Sequence, residues 1–148
     1  ALLILAVGCS ETSEQLPVSK VEHPEWSKNA SIYEVNIRQY TPEGTFNAFR
    51  EDLPRLQAMG VDILWLMPIH PIGEVNRKGS LGSYYAVKDF KAVNPEFGTE
   101  EDFQALVDEA HDLGMKVIID WVANHSAWDN VWTVNKDWYT LDDEGNAR

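Results

Sequence analysis

The sequence predicts an α/β fold built on a parallel sheet, and three observations predict it. Strand, helix, strand, helix and strand patterns follow one another along residues 31–121, and two right-handed crossovers make a parallel sheet the default arrangement. Residues 62–67 and 116–121 are nearly continuous apolar runs, the pattern of strands covered on both faces. The connections leaving the first two strands are polar and aromatic, and the carboxyl edge of a parallel sheet is where such folds bind ligands.

Order is expected to begin near Ala30. Residues 31–37 (Ser-Ile-Tyr-Glu-Val-Asn-Ile) alternate with strand period and are rich in strand formers. Thr41-Pro42-Glu43-Gly44 is turn chemistry. Thr45 can cap a helix over residues 45–59, with Phe49, Leu53 and Leu56 on one face and Gly60 as its stop. Pro54 lies inside that pattern and removes one backbone donor, so the helix is expected to kink or divide there. The strand at 62–67 is followed by a long connection, residues 68–98, with scattered Gly and Pro. Connections of that length are uncommon unless they serve a function. Thr99 and the acidic residues Glu100, Glu101 and Asp102 open the next helix, which carries an apolar stripe of Phe103, Leu106, Val107, Ala110 and Leu113 and ends at Gly114. The strand at 116–121 ends in Asp120 and Trp121, and the polar, Trp-rich remainder suggests no regular element.

The 148 residues suffice for one domain with a core. Six Trp, five Tyr and five Phe suit the apolar faces of sugar rings, although Trp65 and Phe103 are expected to fill the core. The net charge of −12 repels a phosphate backbone, which argues against a nucleic-acid partner. A neutral polysaccharide is indifferent to it.

The single cysteine, Cys9, follows an apolar run, residues 1–8, ending in small residues. The run is too short to span a bilayer but fits the h-region of a signal peptide. Ala6-Val7-Gly8-Cys9 resembles a bacterial lipobox, with Ala6 where that pattern prefers Leu. The expectation is an exported lipoprotein, with residues 1–9 as the signal remnant, a lipid anchor on Cys9, and a placement at the outer membrane or cell surface. Residues 10–29 read as a flexible tether, and residues 30–148 as the folded part.

Four stretches carry a family resemblance. They are Ile32-Tyr33-Glu34-Val35-Asn36-Ile37-Arg38-Gln39-Tyr40, Trp65-Leu66-Met67-Pro68-Ile69, the loop pieces Tyr84 to Phe90 and Val93 to Thr99, and Asp120-Trp121-Val122-Ala123-Asn124-His125. Together, in this order, they resemble glycoside hydrolase family 13, the α-amylase family. The resemblance implies a partial (β/α)8 TIM barrel, its first three strands and two helices, with the start of an inserted small domain after strand three. Three strands cannot close a barrel, so the chain is expected to be part of a longer protein.

The resemblance implies roles for four residues. Asp120 belongs to the active-site base and supports an Arg outside this chain. Tyr85, four residues before Asp89, stacks on the sugar beside the cleaved bond, and His125 contacts that same sugar. Asn124 offers a carbonyl oxygen, suitable for Ca²⁺. Trp128, Trp132 and Trp138 fall where the inserted domain begins, either lining outer sugar sites or packing that insert. Retaining glycosidases need a nucleophile and an acid/base carboxyl about 5 to 5.5 Å apart. The family supplies them from the fourth and fifth strand ends, outside this sequence, and Asp89, Asp120 and Asp129 are not assigned those roles.

The function so implied is retaining hydrolysis of α-glucan such as starch or maltodextrin, with a transglycosylase or branch-cleaving enzyme as a close variant. The alternative is a non-catalytic relative that binds glucan or serves as an interaction subunit. A nucleotide-binding domain is disfavoured, because no Gly-rich phosphate loop follows a strand.

Overall fold

The structure, a computed structural model, describes residues 21–146. Cys9, the signal remnant and the first part of the expected tether lie outside the described residues. Within the stretch expected as a tether, Glu25–Asn29 form a 3-10 helix, and the Lys116 ammonium sits 5.9 Å from the centre of the Trp26 ring.

Three strands, β1 (Ile32–Val35), β2 (Ile63–Leu66) and β3 (Lys116–Ile119), form a parallel sheet in the order β1-β2-β3. The register aligns Tyr33 with Leu64 and Val117, and Val35 with Leu66 and Ile119. The expected α/β order and parallel sheet are thus present. The first strand is shorter than its alternating pattern, because Ile37 opens a short helix, α1 (Ile37–Tyr40). Val35 and Ile37 are both in the core, and a helical turn buries Ile37 as well as a strand would, so the apolar period could not tell the two apart.

The helix expected over 45–59 is divided. Helix α2 (Phe46–Arg50) starts from Thr45, whose hydroxyl accepts from the Ala48 N–H at 3.2 Å. Helix α3 (Leu53–Ala58) has Pro54 in its first turn, where a missing N–H costs no intrahelical bond. Gly60, with φ of 86°, turns the chain into β2. Helix α4 (Glu100–Asp112) carries a reciprocal cap: the Asp102 N–H donates to Thr99 Oγ1 at 3.2 Å, and the Thr99 N–H donates to Asp102 Oδ2 at 2.8 Å.

One face of the sheet supplies Val35, Leu64 and Leu66 to a core shared with Phe46, Phe49, Leu53, Leu56, Leu106 and Ala110. Truncating any of these leucines to Ala should cost about 2–5 kcal/mol. Phe103 lies against this core, its ring 5.4 Å from that of Phe46. The other face is less covered than the apolar runs suggest: Ile32 and Ile118 are exposed, and Trp65 is half-buried and outside the core cluster. The reason is geometric. Trp65 alternates with Leu64 and Leu66, so it points away from the face that packs on the core.

The long connection 68–98 has no regular element beyond an antiparallel bridge between Ile72 and Val87. The Trp-rich remainder, read as irregular, contains two short 3-10 helices, Val131–Val134 and Lys136–Trp138.

Candidate functional site

Asp120 follows β3 directly, and its N–H continues the parallel ladder by donating to the Leu66 carbonyl at 2.8 Å. That bond holds the carboxylate at the carboxyl edge of the sheet. Tyr85, from the β2 connection, donates its hydroxyl to Asp120 Oδ2 at 2.8 Å. The hydrogen bond to Asp120 pushes the Tyr85 phenol above its usual range, with burial and the charges of Asp120 and Glu34 acting in the same direction. Tyr85 therefore stays a neutral donor at neutral pH.

Tyr84 faces elsewhere. It packs against the core, and the Arg38 guanidinium lies 4.5 Å over its ring. Arg38 also pairs with Glu96 at 3.1 Å. The two adjacent tyrosines are thus separated, Tyr84 toward the scaffold and Tyr85 toward the sheet edge.

His125 and Asn124 are exposed, with Asn124 Nδ2 3.5 Å from His125 Nδ1. Both line a cleft of about 610 Å³ with Phe90, Trp121, Trp132 and Trp138. Phe90 stacks on Trp132 at 5.1 Å and meets Trp121 edge-on at 6.0 Å, while Trp138 meets Trp132 edge-on at 6.1 Å. Trp132 is half-buried in this stack, whereas Trp128 and Trp138 are exposed. The structure therefore brings Tyr85 to Asp120 and His125 to Asn124. Trp121, the residue after Asp120, joins the two groups.

The other carboxylates have local partners. Asp89 accepts from the Lys91 N–H at 2.8 Å. Asp129 accepts from the Glu74 N–H at 3.0 Å and lies 3.7 Å from Lys88 Nζ. Burial pushes the Asp129 pKa up, but the N–H donors of Glu74 and Val75 and the Lys88 charge outweigh it, and the net direction is down. Lys88 also pairs with Glu74 at 2.7 Å. Asp89, Asp120 and Asp129 each answer to a separate group.

Calcium takes about six to eight oxygen ligands. Asn124 offers one, and no group of three or more His, Cys, Asp or Glu side chains converges among the described residues. The described residues alone do not complete such a site, and no step is derived through the ion.

Sequence reasoning gave no role to Phe90, Trp121 or Asn130. A Trp beside a strand-end Asp is a usable signal for Trp121. Nothing in the sequence separates the buried Asn130 from the other asparagines of a polar stretch.

The sequence pattern of the family described as "Alpha amylase, catalytic domain" matches residues 19–144. A trehalose synthase from a Pimelobacter species is 40% identical over 116 residues, covering 75% of this chain and 19% of its own length. An α-1,4-glucan:maltose-1-phosphate maltosyltransferase from Rhodospirillum rubrum is 39% identical over 140 residues, covering 76% of this chain and 20% of its own length. The chain thus spans about a fifth of these relatives. Among solved structures, an α-amylase from Lactobacillus plantarum superposes with a TM-score of 0.78 at 51% identity, covering 80% of this chain and 28% of that one. A maltogenic α-amylase from Thermotoga neapolitana also gives 0.78, at 44% identity, with 81% and 29% covered. With its three parallel strands part of a (β/α)8 barrel and its pattern matched over residues 19–144, the chain belongs to the α-amylase family, glycoside hydrolase family 13.

Proposed function

We propose that the protein carrying this chain hydrolyses α-glucan, starch or maltodextrin, with retention at the anomeric carbon. The observation that supports this most is the hydrogen bond between Tyr85 and Asp120 at the carboxyl edge of the sheet. In this reading the Tyr85 ring stacks on the sugar beside the cleaved bond, since an aromatic face suits the apolar face of a pyranose. His125 binds a hydroxyl of the same sugar from the adjoining cleft. Asp120 turns one oxygen to Tyr85 and supports an Arg with the other. The nucleophile and acid/base come from later strands of the barrel, about 5 to 5.5 Å apart.

Hydrolysis is the preferred reading, in keeping with the two α-amylase structures that the chain resembles at 51% and 44% identity, with transfer as the close variant. A bound calcium would take Asn124 as one ligand, with the others from outside the described residues. Export as a lipoprotein anchored through Cys9, at the outer membrane or cell surface, completes the proposal.

The test uses the complete protein and soluble starch. Tyr85→Ala and His125→Ala should each lower kcat/KM at least about tenfold, as loss of a positioning contact does, with little change in Tm. Full activity in both variants would sink the assignment. A parent that moves glucosyl units to an acceptor sugar without releasing reducing ends to water would replace hydrolysis with transfer.

A further inference from the structure

Asn130 is 1% exposed, and each arm of its side-chain amide has a partner. Nδ2 donates to the Val87 carbonyl at 2.8 Å, and Oδ1 accepts from the Trp132 N–H at 2.8 Å. The Asn130 N–H donates to the Ala127 carbonyl at 3.1 Å, and the Asn130 carbonyl accepts from Thr133 Oγ1 at 2.8 Å. One side chain therefore joins the segment after β3, which carries His125, to the connection after β2, which carries Tyr85.

The place where it joins them matters. Val87 is 3% exposed and lies two residues after Tyr85. Its carbonyl receives both Asn130 Nδ2 and the Ala127 N–H, the latter at 2.9 Å. The Val131 N–H donates to the next carbonyl, that of Lys88, at 3.0 Å. Gly73, in the same connection, donates its N–H to the Ala86 carbonyl at 2.8 Å. A Cβ on Gly73 would lie 2.3 Å from Ala127 Cβ and 2.5 Å from Asp129 Oδ1, so the two segments meet there with no room for a methyl group. Only a side chain with both an N–H donor and a carbonyl acceptor satisfies Val87 and the Trp132 N–H together. Aspartate lacks the donor and leucine lacks both, and an unpaired polar group in that buried place is costly.

We infer that Asn130 is a positioning residue: by clamping the β2 connection to the segment after β3, it holds the Tyr85 ring against Asp120. The inference rests on the proposed sugar-binding role of Tyr85. Asn130 touches neither Tyr85 nor Asp120 in the hydrogen bonds described, and acts through Val87.

The test is a double-mutant cycle in the complete protein, with kcat and KM on a soluble maltooligosaccharide for the parent, Asn130→Ser, Tyr85→Ala and the double variant, at a temperature where all four are folded. Asn130→Ser should lower kcat about tenfold to a hundredfold, the loss that a displacement of about 1 Å produces, and change KM much less. With the Tyr85 ring removed there is nothing left to position, so the double variant should be no slower than Tyr85→Ala alone. If Asn130→Ser does not fold, Gly73→Ala, which forces the same two segments apart, takes its place in the cycle. Losses that multiply, or an Asn130 or Gly73 variant that lowers Tm and leaves kcat at the parent value, overturn the inference while the sugar-site reading stands. A Tyr85→Ala variant with parent activity overturns the inference and the sugar-binding role of Tyr85 together.

Discussion

Tyr85 donates its hydroxyl to Asp120 Oδ2 at 2.8 Å across a separation of 35 residues. The contact joins the loop after β2 to the end of β3, and it holds the Tyr85 proton more tightly than water does. The Asp120 hydrogen bond is the main cause, and burial and the charges of Asp120 and Glu34 add to it. An unfolded tyrosine titrates near about 10. The folded value lies above this, so the stabilisation is complete below about pH 10 and is lost as pH rises through the folded value. Asp120→Asn removes the charge and weakens the acceptor, and should move the Tyr85 titration back toward the unfolded value. Phenolate absorbance, taken as a difference against Tyr85→Phe, follows this one group. An unchanged titration in Asp120→Asn would contradict the pairing.

Calcium gives a second expectation. If Asn124 supplies one oxygen of a calcium site, removing the ion with a chelator should lower the Tm of the complete protein, and restoring calcium should recover it. Asn124→Ala should need a higher calcium concentration for the same recovery. Calcium titrations of the parent and the variant that superimpose would remove Asn124 from the ligand set.

Cys9 gives a third. A single acyl chain anchors weakly, and stable attachment takes more than one lipid signal, which the acylation of a bacterial lipoprotein cysteine supplies. In cells fed a fatty-acid probe, the parent should label and sediment with membranes, and Cys9→Ser should do neither. Equal labelling of the two would exclude the anchor.

The parallel order of strands and helices was legible in the sequence because burial imposes it. The helix caps were legible too: Thr45 and Thr99 accept from backbone N–H groups three residues on, a local arrangement set by residue type. The different environments of Tyr84 and Tyr85, one under Arg38 and one at Asp120, are set by packing and not by their identical side chains. Asn130 was not legible, because its partners, Val87 and Trp132, are defined only once two loops meet. Trp65 misled for a related reason. Its apolar strand reads as buried on both faces, and whether the second face is covered depends on what packs there rather than on the strand itself.

Pro54 provides a test in which two structures predict opposite signs. Helix α2 ends at Arg50 and α3 begins at Leu53. The Arg55 and Leu56 N–H groups both donate to the Asp52 carbonyl, at 3.1 and 3.2 Å. Asp52 also accepts from Arg55 Nε at 2.8 Å and from the Tyr40 hydroxyl, which fixes the corner between the two helices. Pro54 sits in the first turn of α3, where backbone N–H groups have no partner within the helix. Replacing it by Ala restores no helical bond and frees the unfolded chain, so Pro54→Ala should destabilise the protein by about 0.4–1 kcal/mol. In a continuous helix over residues 46–58 the same proline would cost about 3 kcal/mol, and its removal would stabilise. Calorimetry of the complete protein distinguishes the two cases by sign. A fall in Tm agrees with two short helices meeting at Asp52, and a rise would mean that one strained helix runs through the corner.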